Sequence, residues 1–191
     1  LSFKRELLGA RNRMLRRLFA PKPEKPVAQT LYRAIVQAAR QPALYGEDGV
    51  ADTLEGRFEL VVLHTALVIL VLQCDGVPET ARRTSQALFD TMFDDFDAAM
   101  REMGVGDSGV GKKIRFMAEG FYGRAEALQK ATATDGNDEL QTVLARNVFN
   151  AEADDARAPA LALYVNSAFQ ALQAQGGAAL IGGLSPVFPA V

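Results

Sequence analysis

Residues 60–72, Leu60-Val-Val-Leu-His-Thr-Ala-Leu-Val-Ile-Leu-Val-Leu72, decide the fold. Only His64 and Thr65 interrupt the apolar run. Its valines would suit a buried strand. The run is long for a strand, however, and no partner strand is apparent, so a central helix over 58–74 is predicted. A membrane span needs about 20 apolar residues. This stretch is shorter, and Arg57 and Asp75 stand close to its ends, so it reads as a buried core helix.

Working outward, the flanking segments also read as helices. Upstream, Thr30 is a plausible cap for a helix running to Arg40, which Pro42 stops. Residues 41–57, with Gly46, Gly49 and Gly56, are then a long loop. Downstream, Pro78 suits a first helical turn and Gly104 a position just past a helix end. Between them Leu88, Met92, Phe96 and Met103 form an apolar arc, flanked by Phe89 and Met100. Asp90, Asp94, Asp97 and Arg101 share the opposite face. A glycine-rich loop, 104–111, leads to a helix ending near Lys130, which buries Val110, Ile114, Met117, Phe121 and Leu128. Two more helices are expected over 138–150 and 157–174. From Gly176 the tail reads as irregular, being rich in Gly, Ala and Pro.

The N-terminus has its own character. Residues 1–25 hold eight Lys/Arg against two Asp/Glu, whereas the remainder holds thirteen against twenty-one. A helix over 3–19 is predicted, with Phe3, Leu7, Met14 and Leu18 on one face and Arg5, Arg13, Arg16 and Arg17 on the far side. Such a helix suits an anionic membrane surface or ribosomal RNA. Pro21, Pro23 and Pro26 then mark a linker. No signal-peptide pattern is expected, because the basic segment is not followed by a continuous apolar core and a small-residue cleavage site. The expected architecture is all-α: a basic arm and linker (1–26), one bundle (27–175), an irregular tail (176–191), and about six helices in the bundle.

Conventional chemistry is hard to assemble from this chain. Cysteine occurs once, at Cys74, and histidine once, at His64. An internal disulfide and a Cys/His zinc site are therefore excluded. Cys74 is expected to be a small core residue. His64, set in the apolar run, is expected to be a hydrogen-bonded core histidine rather than a general base. Asp90, Asp94 and Asp97 align carboxylates on one helix face, as in magnesium-dependent prenyl or phosphate enzymes. Those use a second aspartate-rich helix, which is not obvious here. An acidic surface is the preferred reading, with Arg101 relieving repulsion from one turn beyond Asp97. Gly106-x4-Gly111-Lys112 resembles a phosphate loop, but Lys113 stands where Ser or Thr is needed and a helix precedes it. Phe116 points away from the apolar arc and Tyr122 lies at its edge, as aromatic anchors for a partner do. A quinone or lipid carrier, with a pocket between helices, is a further class.

Several segments together carry a family resemblance. Residues 32–45 read Tyr-x3-Val-Gln-Ala-x-Arg-x-Pro-x2-Tyr. Residues 49–58 read Gly-Val-Ala-Asp-Thr-Leu-Glu-Gly-Arg-Phe, followed by Leu63-His64. Leu88-Phe-Asp-x2-Phe-Asp-Asp95, Arg101-Glu-Met-Gly-Val-Gly-Asp-x2-Val-Gly-Lys112 and Phe121-Tyr-Gly-Arg124 complete the series. In order and spacing over about 30–175 this resembles the ubiquinol–cytochrome c chaperone family in its bacterial form. Ala51 departs from the proline expected in Val-Pro-Asp-Thr, and Ser108-Gly109 from a larger apolar residue. The arm and the tail lie outside the resemblance.

The resemblance implies a non-enzymatic assembly factor for the cytochrome bc complex, needing no cofactor. Its partner would be cytochrome b or its nascent chain, with a small helper protein as in mitochondrial relatives. DNA is not an expected partner, and ribosome contact is left open. The place implied is the bacterial cytoplasm, peripheral at the inner face of the membrane. The residues singled out for partner binding are Asp52, Arg57, His64, Asp90, Asp94, Asp97, Arg101, Asp107, Lys112, Phe116, Tyr122 and Arg124.

Overall fold

The computed structural model describes residues 23–74, 76–134 and 136–190. The expected 3–19 helix, with Phe3, Arg5, Arg13, Arg16 and Arg17, lies outside them. Seven helices follow one another: α1 (Glu24–Ala39), α2 (Leu54–Leu72), α3 (Glu79–Glu102), α4 (Asp107–Ala133), α5 (Asp138–Asn147), α6 (Ala158–Gln175) and α7 (Gly177–Ile181). Among the described residues no β-strand forms. A single bridge, Tyr45 to Val50, pins the loop between α1 and α2.

The apolar run is the central helix, α2. Every residue from Leu60 to Leu72 is buried. It has no polar face because α1, α3, α4, α6 and α7 all pack against it. A helix that is hydrophobic all round must be enclosed in this way. Its start is set by Thr53, whose side chain accepts a hydrogen bond from the Gly56 N–H at 3.1 Å. This cap places the start at Leu54, four residues before the sequence expectation.

The amphipathic helices close around it. On α3, Ala81, Leu88, Met92, Phe96 and Met100 face inward at spacings of seven and four. Phe96 is essentially unexposed and its ring centroid lies 4.7 Å from that of Phe58. The Tyr32 hydroxyl of α1 donates to Asp95 of α3 at 2.7 Å, tying the two helices together. Gly104, with φ +81°, provides the left-handed residue just past the end of α3.

Other boundaries also differ from expectation. α1 begins at Glu24 rather than Thr30. Pro26 sits in its first turn, where a missing N–H costs nothing. The Thr30 hydroxyl instead donates back to the Pro26 carbonyl at 3.1 Å. α4 begins at Asp107, so Gly109 and Gly111 are helical rather than part of a loop. The C-terminal segment is not wholly irregular: α7 forms, Leu180 and Pro186 are buried, and the extended residues dock. The Gln175 side chain donates to the Ser185 carbonyl at 2.7 Å and accepts from the Val187 N–H at 3.1 Å.

Candidate functional site

An open concavity lies where α2, α3 and α4 diverge. Ile69, Leu70 and Gln73 come from α2 and the residue following it, Ser85, Gln86 and Phe89 from α3, and Phe121, Tyr122, Ala125, Glu126 and Gln129 from α4. They enclose a groove of about 190 Å³. Its aromatic wall is ordered by ring geometry. Tyr122 stacks on Phe89 with centroids 5.3 Å apart, and Phe121 meets Phe89 edge-on at 5.2 Å. Both arrangements suit aromatic quadrupoles. The rim is polar: Gln73 donates to the Ser85 hydroxyl at 3.1 Å, and Gln86 donates to Asp90 at 2.8 Å.

That last bond joins the groove to the acidic row. Asp90 and Asp94 are exposed on the outer face of α3, and Asp97 is partly so. Arg101 terminates the row. Its Nε lies 2.5 Å from Asp97, and its guanidinium also pairs with Asp107 at the start of α4. Arg101 thereby relieves repulsion in the row, as the sequence suggested, and bridges the α3–α4 turn. Such exposed pairs are screened by solvent and contribute little to stability. Among the described residues no group of three or more His, Cys, Asp or Glu converges as metal ligands do.

The remaining candidate residues fall elsewhere. Asp52 and Arg57 pair with each other at 2.6 Å, with both side chains about half exposed. The Arg57 guanidinium, hydrogen-bonded to Asp52, holds that carboxyl below its usual range. Arg124 of α4 pairs with Glu59 of α2 beside a narrow apolar cleft lined by Val62, Leu63, Leu128 and Val143. Burial raises the Glu59 carboxyl above its ordinary value, and the Arg124 contact offsets this only in part. Phe116 and Lys112 lie on the outer face of α4 and are exposed.

His64 is a core residue with no exposed surface, so it cannot itself touch a partner. Its Nδ1 lies 2.7 Å from the Leu60 carbonyl and must carry the proton, because a carbonyl only accepts. Its Nε2 lies 2.7 Å from the Tyr164 hydroxyl. Burial pushes the imidazole down to about 4 and the Tyr164 phenol up to about 12. The ring is therefore neutral, with Tyr164 donating to Nε2. Phe188, from the docked tail, covers the same ring edge-on at 5.0 Å. Cys74 corrects the expectation of a core cysteine: α2 ends at Leu72, which leaves Cys74 exposed in the following turn.

Sequence reading missed Glu59, Tyr164 and the glutamines of the groove rim. Tyr164 is 100 residues from His64 and Arg124 is 65 from Glu59. No local signal links either pair. Phe89 was visible as a flank of its apolar arc, but its stacking on Tyr122 was not.

The fold and these surfaces describe a helical protein with an open apolar groove beside an acidic face. The ubiquinol-cytochrome C chaperone family model matches residues 47–187. The chain belongs to the ubiquinol-cytochrome C chaperone family. The match takes in most of the tail, which the sequence reading had placed outside the resemblance. Among solved structures, the crystal structure of the Cbp3 homolog from Brucella abortus is similar. The two are 30% identical with a TM-score of 0.75, over 93% of this chain and 96% of that chain. Among curated proteins none matches.

Proposed function

We propose that this chain is a non-enzymatic chaperone that binds newly made cytochrome b and promotes assembly of the ubiquinol–cytochrome c oxidoreductase complex. Family membership supports the assembly role. The observation that carries the client reading is the aromatic-walled groove whose rim residue Gln86 is bonded to Asp90, the first of the aspartates on the outer face of α3. A client segment with an apolar side chain and adjacent Lys or Arg would match both parts. Cytoplasmic loops of membrane proteins are rich in those cations. The basic arm, with Phe3, Arg5, Arg13, Arg16 and Arg17, would hold the protein at the membrane where such a client is inserted. No helix among the described residues is long and apolar enough to cross a membrane.

The other classes find less support. Asp97 is engaged by Arg101, and three carboxylates do not converge on one point. A groove of about 190 Å³ is smaller than the roughly 300–1,000 Å³ of sites that enclose a small organic ligand, so it does not enclose a whole quinone or lipid.

The test is in-cell crosslinking from a photoreactive residue at Gln129, on the groove rim, with identification of the captured partner. Cytochrome b is the expected partner. Replacing Asp90, Asp94 and Asp97 with alanine should reduce capture about tenfold, at roughly 0.5 kcal/mol per lost charge pair. Full capture by a folded triple variant would remove the acidic row from the reading. Intact complex III in a deletion strain, with no cytochrome b captured, would overturn it altogether.

A further inference from the structure

One turn of α4 combines an exposed aromatic ring with a cluster of cations, away from the groove. Phe116 is 78% exposed, the most exposed large apolar side chain among the described residues. Lys112 and Lys113, each about one turn before it, neighbour it on the helix surface, and Arg115 stands about 100° around the same turn. All three cations are exposed, and none forms an ion pair with a described residue. Glu119 is the one acid on this turn, so the local balance favours positive charge by two. Past Phe116, Gly120 and Gly123 are exposed on the same side, with open space where a Cβ would stand. Met103, 49% exposed, lies at the α3–α4 turn at this end of the helix.

We propose that Lys112, Lys113, Arg115 and Phe116 form a docking surface for an anionic lipid bilayer, with the Phe116 ring entering the interface and the cations on lipid phosphates. Charge complementarity and shape both favour this occupant. The face is an exposed helix surface, and the clefts at Val62, Ile69 and Leu161 include none of these residues. Single-stranded nucleic acid is usually held in a basic groove that tracks its backbone, and an aromatic protein anchor usually meets a pocket. A bilayer needs only a protruding apolar group ringed by cations. The surface is separate from the N-terminal arm and from the client groove, so it stands or falls independently of the client reading.

The protein contains no tryptophan, so Phe116→Trp in the full chain introduces a single reporter at the proposed contact. The exposure of Phe116 makes the substitution compatible with folding, which circular dichroism checks. On vesicles with about three-tenths phosphatidylglycerol, the indole emission should move to shorter wavelength and be quenched by brominated lipid. Pure phosphatidylcholine vesicles should leave it unchanged. Adding Lys112→Gln, Lys113→Gln and Arg115→Gln should weaken partitioning to the anionic vesicles about a hundredfold, at roughly fivefold per cation. The proposal is overturned if nothing binds the vesicles. It is equally overturned if the protein co-sediments with unchanged indole emission, since contact then runs through the arm alone. A spectral response to polyuridylate RNA but not to anionic vesicles would reassign the patch to nucleic acid.

Discussion

Acidification should weaken the folded state through one residue, His64, with a slope worked out from its surroundings. The imidazole is enclosed, hydrogen-bonded in its neutral form, and held at about 4 against 6.5 when solvated. A depressed base stabilises the fold above its unfolded value, and that contribution is lost as pH falls toward the folded value. The window is therefore pH 6.5 to about 4, in which the unfolded chain takes up a proton that the folded chain refuses. Between pH 7 and 4.5 the linkage removes about 2 kcal/mol, a shift toward unfolding of roughly 30-fold. Glu59 acts in the opposite sense, because its raised folded value favours the proton in the native state and trims the loss. Pairing lowers Asp52, Glu126 and Asp155, which respond mainly as pH approaches their own unfolded values near and below 4.5. Urea titration monitored by circular dichroism is the assay. With a slope of about 2 kcal/mol per molar, the midpoint should fall by about 1 M over this range. His64→Gln should be less stable at pH 7 but show a much shallower pH dependence, as the chain then has no histidine. A wild-type midpoint that barely moves, or a variant that retains the full wild-type slope, would refute the assignment.

Other perturbations test the packing around this core. Arg124→Ala leaves Glu59 unpaired beside an apolar cleft and should cost about 1–3 kcal/mol at pH 7. The cost should shrink as pH falls, because burial raises the Glu59 carboxyl and its protonated form no longer needs a cation, and urea titrations at pH 7 and at lower pH measure this. Gly56→Ala should destabilise by about 1–3 kcal/mol despite alanine's better helix propensity, because its Cβ would stand 2.1 Å from the Ala51 carbonyl oxygen. Gly123→Ala, with open space at its Cβ, should instead stabilise by about 0.5–1 kcal/mol in the same denaturation assay. Phe96→Ala opens a cavity against Phe58 and should cost about 3–5 kcal/mol.

The sequence alone determined what depends on near neighbours along the chain. The long apolar run of 60–72, interrupted only by His64 and Thr65, pointed to a buried central helix, and α2 is that helix. Pro78 and Gly104 bracketed α3, because their backbone preferences are local. The spacing of Asp97 and Arg101 set up an ion pair one turn apart. The same local signals misplaced the start of α1 at Thr30 and of α4 at Lys112. Pro26 is harmless in a first turn, and glycines tolerate a helix once neighbouring helices hold it. Only the tertiary structure decided which surfaces meet. Tyr164 reaching His64, Arg124 reaching Glu59, and Phe188 covering the core histidine depend on how the helices and the tail pack. The groove arises in the same way, from three helices diverging, and no periodicity records a gap. Cys74 turned outward because α2 ends at Leu72, two residues before it. Helical periodicity states which side of a helix is apolar, whereas packing geometry decides what lies against that side and where it is left open.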